Sequence, residues 1–119
     1  MRTGPTNEGL KALILALRKE SSTEKTALWM RVADDLEKST RNRREVNLSG
    51  LSRNTKPNEV VVVPGKVLGA GALNHSLVVA ALNFSAGARV QIERVSGKAI
   101  SIGELVKQNP KGKNVRILG

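Results

Sequence analysis

The chain has no cysteine and no tyrosine, one phenylalanine, one tryptophan and one histidine. Each scarcity removes a class of function. Without cysteine there can be no disulfide, no thiolate metal site and no cysteine nucleophile. A single histidine leaves a histidine metal cluster, or a histidine-activated nucleophile, with at most one member. So few aromatic rings cannot form a base-stacking platform, and the core must be built from Val, Leu, Ala and Ile. No apolar run reaches the ~18 residues of a membrane-spanning helix, and the opening "MRTGPTNEG" lacks the apolar centre of a signal peptide. No membrane partner is expected, and the cysteine-free composition makes the cytoplasm the simplest expected setting. Acidic residues are also scarce, with 10 Asp+Glu against 20 Lys+Arg.

What is present begins with that charge. A formal net charge of +10 and a pI near 10.7 on 119 residues would repel itself in a compact domain. Such a surplus is expected where a polyanion supplies the opposing charge, and nucleic acid is the first candidate. The length suits one ordinary domain, which buries roughly 60–70% of its unfolded surface and so holds a modest aliphatic core.

Leu10, Leu13, Ile14 and Leu17 recur at helical spacing and predict a helix over about 7–19, with Gly4 and Pro5 leaving the start loose. Ser22 or Thr23 is expected to cap a second helix that carries Leu28, Val32, Ala33 and Leu36 and ends near Ser39. The short link predicts an antiparallel helical hairpin. "EVNLSGL" (45–51) has the alternation of a short strand. Beyond residue 59, two valine-rich runs mixed with Gly and Pro predict short strands separated by tight turns. Ser85 is the natural cap of a helix lined by Ala88, Ile92 and Val95 and stopped at Gly97. "KAISI" then reads as a brief strand, "GELVKQN" as a short helix closed by Pro110, and the last ten residues as an extended basic tail. The order predicts an α/β or α+β fold in one domain, with residues 1–6 and 110–119 as tails that order on a partner.

The segment "VVVVPGKVLGAG" (60–71) poses the question of a nucleotide site. A phosphate-gripping loop needs its Lys beside a Ser or Thr that holds magnesium, and Lys66 is followed by Val67. The dinucleotide fingerprint also fails, because Asn74 stands where its third glycine belongs. The glycines are therefore read as permitting backbone bends between packed strands. The rival reading, a small nucleotide-binding enzyme that uses the loop 65–71, rests on these glycines alone. No other catalytic set compensates. His75 reads as a turn residue, and Asp34 and Asp35 are adjacent on a helix, where neighbours point apart.

Basic residues form the clearest pattern. Between residues 38 and 56, six cations (Lys38, Arg41, Arg43, Arg44, Arg53, Lys56) face one acid, Glu45. From residue 60 onward only Glu93 and Glu104 oppose eight Lys+Arg. A cation near the end of a helix complements its dipole, which accounts for two or three of these side chains. The remainder suit phosphate oxygens, which guanidinium forks bind two at a time. Trp29, beside Ala27 and Leu28, reads as core. Recognition is therefore expected to be of shape and phosphate rather than of unpaired bases.

"ALWMRVADDLEKSTRNRREVNL" (27–48), "VVVPGKVLGAGAL" (61–73) and "VVAALNFSAGA" (78–88) together resemble the archaeal and eukaryotic large-subunit ribosomal protein family L-eighteen-e, itself related to the C-terminal part of bacterial ribosomal protein L-fifteen. The likeness runs over nearly the whole chain, in order and in register, and the length resembles that of archaeal members. Ser39 stands where the family often has Pro. The resemblance implies an α/β core of short strands and helices in irregular ββα turns behind an N-terminal helical pair. It also implies a non-catalytic constituent of the large ribosomal subunit, with large-subunit ribosomal RNA and neighbouring ribosomal proteins as partners and no cofactor or small-molecule substrate. Within it "PGKVLG" (64–69) is a structural turn. The expected phosphate-binding residues are Arg2, Lys38, Arg41, Arg43, Arg44, Arg53, Lys56, Lys66, Lys111, Lys113 and Arg116.

Overall fold

The computed structural model describes residues 4–37 and 44–118, with side chains over 9–37 and 45–118. A helical pair, α1 (Gly4–Glu24) and α2 (Ala27–Glu37), leads into β1 (Arg44–Asn47), α3 (Leu48–Asn54), β2 (Val60–Leu68) and β3 (Val78–Phe84). Then follow α4 (Ala86–Arg94), β4 (Lys98–Ser101), α5 (Ile102–Gln108) and β5 (Val115–Ile117). This is an α/β fold, and among the described residues every strand pairing is parallel.

Nine-residue β2 organises the sheet. On one side it carries β3, which in turn carries β4. On the other side two short strands share its length, β5 against Val60–Val62 and β1 against Gly65–Leu68. Both faces are covered, as a parallel sheet requires, so the valine run is buried above and below rather than alternating with polar residues. Val61, Val63, Val67 and Val79 pack with Leu48 and Leu51 of α3 and with Ala88 and Ile92 of α4. Val62 and Ala80 point the other way, onto Ile14 and Leu17 of α1, Trp29, Val32, Ala33 and Leu36 of α2, and Ile102 and Leu105 of α5.

The helical stripes are where their spacing put them, but several ends differ. Helix α1 begins at Gly4, because Pro5 falls in the first turn, where a missing N–H costs nothing. It runs on through the Ser-rich stretch to Glu24. Lys25 closes it in the left-handed region (φ 54°), with the Thr26 N–H reaching back to the Ser21 carbonyl at 3.1 Å. The cap of α2 is therefore Thr26, whose hydroxyl accepts from the Leu28 N–H at 3.3 Å, and not Ser22 or Thr23. Arg18 fastens the antiparallel pair, meeting Asp34 at 3.2 Å and also Glu37. The expected helix end near Ser39 lies outside the described residues.

Two further expectations change. The strand at 44–47 ends before Leu48, which opens α3 instead; Leu48 and Leu51, three apart, both bury against the sheet. The Val46/Leu48 alternation was too short to tell strand from helix. Pro64 and Gly65, read as a turn, are buried inside β2. Pairing with β3 passes from Val63↔Ala81 to Lys66↔Asn83, so β2 carries one extra residue there. A bulge is a place where a strand tolerates proline, which has no N–H for the ladder. No tight turn separates β2 from β3. Residues 69–77 return the chain to the start of a parallel neighbour, and Leu73 and Leu77 bury in place of a crossover helix.

From Ser85 to Asn109 the elements follow the sequence closely. Ser85 caps α4, accepting from the Ala88 N–H at 3.1 Å. Ser96 takes the left-handed position that ends α4, and Gly97 follows it with its N–H on the Ile92 carbonyl at 2.9 Å. A capping box between Ser101 and Glu104 opens α5. The C-terminal segment, expected as a tail that orders on a partner, is instead docked on the body. Trp29, fully buried, donates its indole N–H to the Pro110 carbonyl at 2.6 Å, and β5 adds to the sheet.

Candidate nucleic-acid interface

The glycine stretch is filled by the protein's own backbone. A Cβ on Gly69 would stand 3.0 Å from the Ala88 nitrogen and 3.2 Å from the Gly87 carbonyl carbon, so the end of β2 lies directly on the first turn of α4. The Ala88 N–H is already taken by Ser85. Gly71 has φ +91°, and a Cβ there would meet Ser49 Cβ at 2.5 Å. The Ser49 N–H meanwhile bonds the Ala70 carbonyl at 3.2 Å. In open α/β sheets the crevice beyond the carboxyl ends of the strands is where nucleotides sit. Here the loop itself packs against the starts of α3 and α4 at that end. These glycines serve close approach and one left-handed bend.

His75 belongs to the same loop. Thr55 donates its one hydroxyl proton to the Leu51 carbonyl at 2.6 Å, so it accepts from His75 Nε2–H at 2.8 Å. That bond ties the loop to the end of α3. Among the described residues no group of three His, Asp or Glu side chains is placed to hold a metal ion.

The expected cations fall into two places and a remainder. Lys56, Lys113 and Arg116 line one open groove of about 720 Å³, beside the first residues of β2 and β5. Arg53 is exposed in the last turn of α3, next to Asn54, whose carbonyl accepts from Arg116. Lys111 is exposed in the turn that precedes β5. Lys66 lies elsewhere. It is exposed on β2 between Glu45 and Asn83 in the pairing register, roughly 20 Å along the strand from Val60 at 3.3 Å per residue. Arg44 opens β1 opposite Gly65, in that same half of the sheet. Arg2, Lys38, Arg41 and Arg43 lie outside the described residues.

Two features were not visible in the sequence. Arg116 is not a spare charge: its Nε meets Glu59 Oε2 at 2.9 Å, and its Nη2 meets Glu59 Oε1 at 3.2 Å. Arg31, absent from the expected set, lines a second groove of about 330 Å³ with Leu28 and β5. Its position four residues after Ala27 put it off the buried stripe of α2, but only the docking of β5 brings it beside Arg116. Phe84 offers no platform for a base, because Arg89 already covers its ring at 5.1 Å from the centroid.

The model of the family described as "Ribosomal protein 60S L18 and 50S L18e" matches residues 11–119 of this chain. The "Large ribosomal subunit protein eL18" of Methanothermobacter thermautotrophicus is 49% identical over 113 residues, covering 95% of this chain and 93% of that protein. The protein of the same name from Sulfurisphaera tokodaii is 45% identical over 117 residues, covering 98% and 96%. That of Methanoregula boonei is 45% identical over 113 residues, covering 95% and 93%. With nearly every residue matched at this identity, on an α/β fold behind an N-terminal helical pair, the chain belongs to the ribosomal protein 60S L18 and 50S L18e family.

Proposed function

We propose that the chain is a non-catalytic, structural constituent of the large ribosomal subunit that holds large-subunit ribosomal RNA through Lys and Arg on phosphate oxygens. The observation that carries this is the family match over residues 11–119, which leaves no room for an added catalytic unit within them. The charge supplies the physical reason. A chain of +10 gains from a polyanion that brings many phosphates close together, which folded RNA does. Its place is the cytoplasm, in the large subunit, beside neighbouring ribosomal proteins.

The residues that contact RNA are proposed to be Arg2, Lys38, Arg41, Arg43, Arg44, Arg53, Lys56, Lys66, Lys111 and Lys113; Arg116, expected among them, is engaged by Glu59 and holds its neighbours in place. The glycines of 65–71 have no part beyond shaping the scaffold. Sedimentation of the tagged chain from its native cells tests the assignment. Co-migration with the large subunit that survives a high-salt wash is expected, and a chain left at the top of the gradient would overturn it. For the residues, Arg41→Ala with Arg43→Ala should lower the slope of log K against log salt by about 1.4–1.8, since each lost phosphate contact removes about 0.7–0.9. The melting temperature should stay unchanged. An unchanged slope would remove these two arginines from the contact set.

A further inference from the structure

The groove at the amino end of β2 is walled by the turn 56–59 on one side and by residues 113–116 on the other. Its lining carries Lys56, Lys113 and Arg116 against a single carboxylate, Glu59. That carboxylate is already engaged. It takes both nitrogens of the Arg116 fork, and its Oε1 also accepts from the Lys56 backbone N–H at 2.9 Å. Arg116 gives a further bond to the Asn54 carbonyl. The guanidinium and Glu59 therefore answer one another, whereas neither the Lys56 nor the Lys113 ammonium is paired with a carboxylate among the described residues.

Lys113 also stands on a built support. Asn109 brackets it, donating to the Lys113 carbonyl at 2.9 Å and accepting from the Lys113 N–H at 3.3 Å. The turn hangs from the buried Trp29 through Pro110. Across β5, the second groove shares Val115 and Arg116 with the first and adds Arg31, with no acidic residue in its lining. Cations with no carboxylate partner among the described residues thus flank β5 on both sides.

We propose that this double groove is the seat of one stretch of the sugar–phosphate backbone of folded RNA, with Lys56, Lys113 and Arg31 on phosphate oxygens and Arg116 as a positioning residue that holds the wall. The proposal rests on the RNA-binding reading above and names the surface that performs it. The linings contain no aromatic side chain, so they offer neither a base-stacking platform nor the aromatic anchor typical of a protein partner's contact. They offer a row of point charges instead, which suits a polymer bearing a charge on every unit.

The test compares three variants of the full chain on a large-subunit ribosomal RNA transcript, reading the salt slope, a hydroxyl-radical footprint and the melting temperature. Lys56→Gln/Lys113→Gln/Arg31→Gln should lower the slope by about 2–3, at about 0.7–0.9 per phosphate, and erase one patch of the footprint. Its melting temperature should not move. Arg94→Gln/Lys98→Gln/Lys107→Gln removes the same charge near the far edge of the sheet and should leave slope and footprint intact. Glu59→Gln should do the reverse of the groove variant, lowering the melting temperature by a few degrees with the slope unchanged. A groove variant that keeps its slope and footprint, or a far-edge variant that loses as much, overturns the proposal while the RNA reading stands. So would a groove variant with full RNA binding that fails to retain a neighbouring protein in reconstituted subunits. Wild-type chain that ignores the transcript would instead bring down the RNA reading itself.

Discussion

Replacing Gly71 by Ala tests directly what the glycine stretch is for. The residue sits at φ +91°, outside the conformations open to an ordinary side chain, and the added methyl would lie 2.5 Å from Ser49 Cβ and 2.8 Å from its nitrogen. Left-handed backbone costs a non-glycine residue about 1–2 kcal/mol. Forcing a methyl into filled space costs about 1–3 kcal/mol more, because the start of α3 must move. The sum is about 2–5 kcal/mol. For a domain of this size 1 kcal/mol corresponds to roughly 3–6 °C, so melting should fall by at least about 6 °C. Gly9→Ala is the matched control. A Cβ there meets nothing within 4 Å, and the site is interior to α1. Alanine should gain about 0.8–1.0 kcal/mol and raise melting by a few degrees. Thermal unfolding followed by circular dichroism reads both. If Gly71→Ala melts with the wild type, the close fit to Ser49 is not what requires a glycine, and the packing argument fails.

Three further substitutions probe the scaffold. Trp29→Phe keeps an apolar ring but leaves the Pro110 carbonyl without its donor, so it should cost about 1–3 kcal/mol and speed amide exchange across residues 112–118; wild-type exchange there would show that the C-terminal segment does not hang from Trp29. Ser101→Ala breaks the capping box of α5 and should cost about 0.5–2 kcal/mol by urea unfolding, with an unchanged midpoint counting against the cap. Arg18→Gln removes ion pairs that are largely exposed, and should change stability by less than about 1 kcal/mol; a larger loss would mean that Arg18 holds the helical pair through packing.

How far the fold could be read from the sequence depended on range. Local signals were reliable. The Leu10–Leu17 stripe, the Ser85 cap and the brief strand before α5 are all where their patterns placed them. Failures came where a local pattern was too short, as at Val46 and Leu48, or where a tertiary contact outweighed a local preference. The Ser-rich stretch stays helical because Ser21 turns inward and its hydroxyl bonds the Thr26 carbonyl, and Pro64 sits in a strand because a bulge excuses its missing N–H. The site divides in the same way. Which residues are basic is plain in the sequence, but their grouping is not. Lys56, Lys113 and Arg116 meet only because β5 pairs with β2 across more than fifty residues of chain, and the same pairing gives Arg116 a carboxylate partner and Arg31 a neighbour. No local pattern encodes such a meeting.

The change of the wild-type chain's grip on large-subunit ribosomal RNA with ionic strength tests phosphate binding most directly. Titrating the chain against the transcript from about 50 to 200 mM salt should give a straight line of log K against log salt, falling by about four or more per decade, as contacts to some six phosphates require. A flat line, or saturable binding of ATP by the same chain under the same conditions, would contradict it.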